Sequence, residues 1–209
     1  MPIREVPTRF GGQPALYVVR EHAPRASRLA IVFPGHAYPL AAPLLHYVAE
    51  ASYAAGVDVI GVEYGYQANR RDLGPDGVAG VVEEVSAALS AFDLAPYEDI
   101  VFIGKSIGTV VQTGVAQGIG RPIPHQVFLT PLRRVLSAIR ETPHALVIVG
   151  DRDEAFGLSD IEQLAGAEGV RVHVVPHGDH SLETGDYWES IAVLKTVVTL
   201  CEDFVRGLQ

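Results

Sequence analysis

Short apolar runs alternate along the chain with longer segments in which apolar residues recur at every third or fourth position. The runs at 16–20, 29–33, 57–62, 100–103, 126–129, 145–149 and 170–175 are rich in valine, isoleucine and leucine, and each predicts a strand. The run at 29–33 is apolar throughout, as a strand buried on both faces should be. Helical patterns separate most of these strands. After Asp76, an expected N-cap, Val78, Val81, Val82, Val85, Leu89 and Phe92 follow three- and four-residue steps. After Asp186, Ile191, Leu194, Val198, Cys201 and Val205 share one helical face, so Cys201 is expected to be core packing and not a reactive thiol. A single helix over 132–140 fills most of the space between two strands and leaves no room for a lid. The stretches 20–28 and 64–75 read as loops. The alternation predicts an α/β fold, a mostly parallel central sheet flanked by helices on both faces, in a single domain over residues 1–209 with no cap domain.

Composition narrows the partners. Sixteen Lys+Arg against 25 Asp+Glu leave a net charge of −9, with no basic run to offset it. Nucleic acid is excluded as an expected partner, because binding it requires clustered cations. No stretch approaches about 18 consecutive apolar residues, and residues 1–5 lack a signal-peptide pattern, so a cytoplasmic protein without a membrane partner is expected. One cysteine excludes an internal disulfide and a multi-cysteine zinc site. Neither metal nor cofactor is expected, and the expected partner is a small-molecule substrate.

The predicted strand ending at Ile103 runs directly into Gly104-Lys105-Ser106-Ile107-Gly108, and a helical pattern over 109–117 follows. A serine on such a turn has its hydroxyl exposed, and flanking glycines remove Cβ atoms that would clash with strand and helix. Because Ser106 also opens a helix, the Ile107 N–H is placed to face a developing negative charge. The plainer reading is a glycine-rich turn with Ser106 as an N-cap. Lys105 between them reads as a solvated surface side chain. A serine nucleophile needs a base and the base an orienting carboxylate. Both occur after later strands, in Gly150-Asp151-Arg152-Asp153-Glu154 and Pro176-His177-Gly178-Asp179-His180-Ser181. His173 alternates with valines inside a strand and reads as structural.

On these motifs, in the order Ser, Asp, His over roughly 16–204, the chain resembles the α/β-hydrolase superfamily, closest to its small lidless members of the dienelactone-hydrolase-like and esterase or thioesterase groups. The resemblance implies Ser106 as nucleophile, Asp153 as acid with Asp151 the alternative, and His180 as base with His177 the alternative. It also implies an oxyanion hole from the backbone N–H groups of His36 and Ile107, although Pro34 stands where the family usually has histidine. The expected activity is hydrolysis of a small or medium carboxylic ester or thioester through an acyl-enzyme. An amidase or peptidase using the same residues, or a non-catalytic ligand-binding relative, are the alternatives. Tyr38, Tyr64 and Phe156 are the candidate substrate contacts, with packing under loops as their other reading.

Overall fold

The computed structural model describes residues 3–9, 11–73 and 77–207. Among these, eight strands form one sheet: β1 (Ile3–Val6), β2 (Ala15–Arg20), β3 (Arg28–Phe33), β4 (Asp58–Gly61), β5 (Asp99–Lys105), β6 (His125–Leu129), β7 (His144–Gly150) and β8 (Val170–Val175). Their order is β1-β2-β4-β3-β5-β6-β7-β8. The six strands from β4 to β8 run parallel, and β2 pairs antiparallel with both β1 and β4. The predicted α/β architecture is therefore the observed one. β1 has no counterpart in the sequence reading, because four residues with only Val6 buried carry too little pattern.

The central strands are apolar throughout because each of their faces is covered. Leu29, Ile31 and Phe33 of β3 join Ile100 and Phe102 of β5 in one cluster, whereas Ala30, Val32, Val101 and Ile103 point into another. The first cluster lies under α3 (Gly77–Leu89) and α4 (Ile107–Gly118), and the second under α1 (Pro43–Ala54) and the long C-terminal α7 (Tyr187–Arg206). A third cluster packs β6 and β7 against α5 (Leu136–Glu141) and α6 (Leu158–Leu164). In α3 the predicted stripe holds, with Val81, Val85 and Leu89 buried and Val78 and Val82 packed beside them. Its expected cap, Asp76, lies outside the described residues. Cys201 is fully buried, and burial pushes its thiol up to about 12, as expected of a packing residue.

Three local expectations change. Asp186 does cap α7, accepting hydrogen bonds from the Trp188 and Glu189 N–H groups, but Ile191 is 54% exposed because α7 joins the core cluster only from Val193 onward. Residues 132–140 form a 3-10 turn (Arg133–Val135) leading into α5 and not one helix. The stretch 64–75 contains a short helix, α2 (Gly65–Ala68), whose Gly65 N–H is held by the buried carboxylate of Glu84 on α3.

The chain leaves β3 toward β4 on one side and returns to place β5 on the other. The loops after β3 and β5 consequently diverge and leave a crevice at the carboxyl ends of the strands, which is where α/β sheets hold their ligands.

At the opposite end of the sheet the buried His125 ring stacks on His144, centroids 4.8 Å apart. Burial, then the charge of His144, lowers the affinity of His125 for a proton. The unfolded chain takes up that proton near pH 6.5, while the folded chain resists it until lower pH. This pair therefore contributes a stability that rises with pH through that window and is lost as pH falls below about 6.5. His125→Phe keeps the stacking and removes the charge. Its melting temperature should drop less between pH 7.5 and 5 than that of the wild type, and an identical drop in both proteins would exclude the His125 contribution.

Candidate active site

β5 ends at Lys105, and Ser106 adopts φ 55° and ψ −119° before α4 starts at Ile107. Few side-chain-bearing residues enter this region, so the surroundings must enforce it. A Cβ on Gly104 would lie 2.7 Å from the Gly108 carbonyl oxygen, and one on Gly108 would lie 2.6 Å from the Pro34 carbonyl oxygen. Both glycines of the motif are thus required by the close passage of β3, β5 and α4. The Ser106 N–H is held by the Leu129 carbonyl of β6 at 3.0 Å.

The turns after β7 and β8 meet backbone to backbone. Gly150 packs so closely on Gly178 that any Cβ would collide with its carbonyl, and the Arg152 N–H donates to that carbonyl at 2.9 Å. This seam brings Asp153 and His180 together. Asp153 is buried, and both of its carboxylate oxygens lie 2.9 Å from His180 Nδ1. Oδ1 also accepts from the Ala155 N–H. A carboxylate only accepts, so Nδ1 carries the proton and Nε2, 2.8 Å from Ser106 Oγ, is free to accept the hydroxyl proton. The Asp179 carboxylate receives the N–H groups of Ser181 and Glu183 and shapes the turn after His180. Asp151 and His177 stand outside this chain of bonds: both are exposed, and His177 Nδ1 lies 3.2 Å from an Arg152 nitrogen. His173 is half-buried within β8.

The loop at 34–38 approaches from the other side, where a Cβ on Gly35 would stand 3.7 Å from Ser106 Cβ. The carbonyls of residues 34–36 are held by four hydrogen bonds: Tyr64 Oη donates to Pro34, Gln67 Nε2 to Gly35 (2.7 Å) and His36 (2.9 Å), and Tyr66 Oη to His36 (3.4 Å). Pro34 therefore serves through its carbonyl. Among the described residues, no protein group accepts from the backbone N–H of His36 or of Ile107. The His36 ring is exposed and stacks on Tyr66, and its Nδ1 lies 3.3 Å from the Tyr66 hydroxyl. Gln67 falls in the stretch read from sequence as loop, and only the folding of α2 beneath residues 34–38 reveals its part.

Lys105 overturns its sequence reading. It is 2% exposed, and its Nζ donates to Thr130 Oγ1 (3.0 Å) and to the His180 carbonyl (2.9 Å), with the Tyr38 ring 4.8 Å away. Burial lowers its pKa to about 8 against the opposing pull of Asp153 and Asp179. As the last residue of a central strand it has a side chain with no route to solvent, so the ammonium is used to tie the His180 turn to the sheet. Of the candidate substrate contacts, Tyr38 is half-buried at the crevice. Tyr64 and Phe156 are fully buried in the first and third core clusters and present no surface to a ligand, so their packing role stands instead. Among the described residues there is no cluster of three His, Cys, Asp or Glu side chains arranged to hold a metal, nor any helix long and apolar enough to cross a membrane.

The family description of an alpha/beta hydrolase domain matches residues 31–205. Among solved structures, an alpha-beta serine hydrolase homologue from Coxiella burnetii is similar at TM-score 0.68 and 18% identity, over 100% of this chain and 97% of that one. An a/b serine hydrolase without lid from Xanthomonas campestris gives TM-score 0.67 at 16% identity, covering 98% and 93%. Est1E from Butyrivibrio proteoclasticus gives 0.68 at 13%, covering 98% and 99%. At such identities the likeness is one of fold. No curated protein matches the chain in sequence.

Lys105→Met keeps the aliphatic stem and removes the ammonium that holds the His180 carbonyl. A misplacement of the imidazole on the ångström scale costs roughly 100-fold in reactivity. Fluorophosphonate labelling of Ser106 should therefore slow about 10- to 100-fold in a protein that stays folded by circular dichroism. Labelling at the wild-type rate would show that His180 holds its place without Lys105.

Proposed function

The chain belongs to the alpha/beta hydrolase family, and on that premise we propose that it is a serine hydrolase acting on a carboxylic ester or thioester through an acyl-enzyme on Ser106. The observation that carries this reading is the unbroken path from Ser106 Oγ through His180 to the buried Asp153, at 2.8 and 2.9 Å, beside two unengaged backbone N–H groups.

In this reading His180 Nε2 takes the Ser106 proton as Oγ bonds to the substrate carbonyl carbon. The carbonyl oxygen gains the electron pair of its π bond, and the N–H groups of His36 and Ile107 stabilise the resulting oxyanion. Each such donor typically contributes about 100- to 1000-fold to the rate. The tetrahedral intermediate then collapses, the bond to the leaving oxygen or sulfur breaks, and protonated His180 returns its proton to that atom. Asp153 stabilises the transient imidazolium and keeps Nε2 aimed at the reacting centre. Water enters, His180 removes one of its protons, and the same sequence releases the acid and restores Ser106. The strained backbone of Ser106 favours catalysis over a purely binding role, since strain of this kind persists where it serves a mechanism.

The wild type should be labelled by a fluorophosphonate and should hydrolyse p-nitrophenyl acetate. Ser106→Ala and His180→Ala should each abolish labelling and lower kcat by roughly 10⁴- to 10⁶-fold. A wild type inert to both reagents would refute the reading, and labelling that survives Ser106→Ala would move the nucleophile elsewhere. A second comparison separates the two acids. Asp153→Asn should cost on the order of 10⁴-fold in kcat, whereas Asp151→Asn, at an exposed side chain outside the hydrogen-bonded path, should cost no more than severalfold. The reverse ranking would reassign the acid.

A further inference from the structure

A cavity of about 420 Å³ opens beside the crevice, within the roughly 300–1,000 Å³ typical of small-molecule sites. Its walls come from both catalytic loops and from two helices: Tyr38 follows His36, Leu182 follows His180, Leu44 lies on α1, and Ile191, Leu194 and Val197 lie on α7. We propose that this cavity receives an uncharged hydrocarbon chain of the substrate, carried either on the acyl side or on the leaving group. The assignment rests on the hydrolase reading for what the chain is attached to, and on the cavity alone for the chain.

Four observations support it. First, three of the polar side chains at the cavity are already engaged. Tyr38 Oη accepts the Leu44 N–H, and the Asp186 carboxylate caps α7. Ser190 Oγ donates to the Asp186 carbonyl and accepts from the Thr184 N–H. The walls formed by Leu44, Leu182, Ile191, Leu194 and Val197 offer a ligand only carbon, on which a hydroxylated chain would lose its hydrogen bonds to water without replacement. Second, Leu182 holds φ 64° while its side chain is only 4% exposed. A branched residue takes up such a conformation where the surroundings demand that side chain in that place, and here it forms the wall next to His180. Third, the lip is apolar and open: Tyr187, Trp188 and Ile191 are 69%, 68% and 54% exposed. A contiguous apolar patch of this kind marks an interaction site. Fourth, the exposed Glu183 and Asp186 stand at the same mouth, so a chain ending in a carboxylate would be repelled.

Trp188 is the sole tryptophan of the protein, and its ring lies 5.2 Å from that of Tyr187 on the cavity wall. Its fluorescence reports occupancy without any chemical step. Titration of the wild-type protein with 1-octanol should give a saturable change in emission. 1-Butanol should bind at least tenfold more weakly, since each buried methylene contributes about 0.8 kcal/mol. Octanoate anion should also bind more weakly than octanol. Leu194→Phe, which fills the cavity, and Ile191→Glu, at an exposed lip position that will not endanger folding, should each weaken octanol at least tenfold. In parallel, p-nitrophenyl esters of two to ten acyl carbons and acetate esters of alcohols of the same lengths should show one series in which kcat/KM rises with length, with the rise lost in both variants. Equal binding of butanol and octanol, or octanol binding untouched by both substitutions, would overturn the assignment even if esters are hydrolysed. Octanol binding as described in a protein that cleaves no ester would keep the hydrocarbon site and remove the hydrolase reading.

Discussion

Ser106 occupies a backbone conformation that costs an L residue on the order of 1–3 kcal/mol, and the rest of the site depends on the sheet's ability to hold it there. The constraint is steric. β3 and β5 pair in parallel up to Phe33 and Gly104, and α4 leaves the end of β5 so tightly that its Gly108 lies against the carbonyls of Phe33 and Pro34. The chain must reverse within one residue, which lifts the Ser106 hydroxyl above the strand ends. The same close passage sets Gly35, and with it the loop after β3, beside Ser106.

His180 and Asp153, the proposed base and acid, are positioned by a different device, one made of backbone contacts and a buried cation. Glycines at 150 and 178 let two turns touch without side chains between them. Lys105 then spans from the end of β5 to the His180 carbonyl, so the strand that leads into Ser106 also carries the tether for the His180 turn. Burying an ammonium is costly unless it is paired and hydrogen-bonded. Here Thr130 and the His180 carbonyl accept from it, Asp153 and Asp179 lie near, and the Tyr38 ring faces it. A charge held under such conditions stiffens the turn it touches. This suits the role proposed for His180, which is to exchange a proton with Ser106 and a leaving group without changing place.

Around this polar centre the surface is asymmetric. On the side of α2, residues 34–36 are braced through their carbonyls by Tyr64 and Gln67, and α2 itself is anchored by the buried Glu84. On the side of α7, the first turns of the helix lie outside the core cluster and leave Tyr187, Trp188 and Ile191 open to solvent. Among the described residues, these loops and the first turns of α7 are the surfaces that border the crevice and its cavity.

The central parallel strands, the helices on both faces and the serine turn were legible in the sequence, because each depends on local features: unbroken apolar runs at 29–33 and 100–103, the three- and four-residue rhythm of α3, and glycines two residues either side of Ser106. Asp153 and His180 were implied by the resemblance to the α/β-hydrolase superfamily, with Asp151 and His177 as the alternatives. β1 was too short to leave a pattern. Lys105 misled because its burial is decided by the strand it ends, not by its own character, and Ile191 misled because α7 meets the core only from Val193 onward. Tyr64, Gln67, Glu84 and the paired glycines at 150 and 178 act across elements distant in the chain, through contacts that no periodicity encodes. The sequence by itself determined which elements form and which residue types stand at their ends. Only the tertiary structure decided which of those residues meet, because the hydrogen bonds and backbone contacts that aim them come into being when the sheet closes.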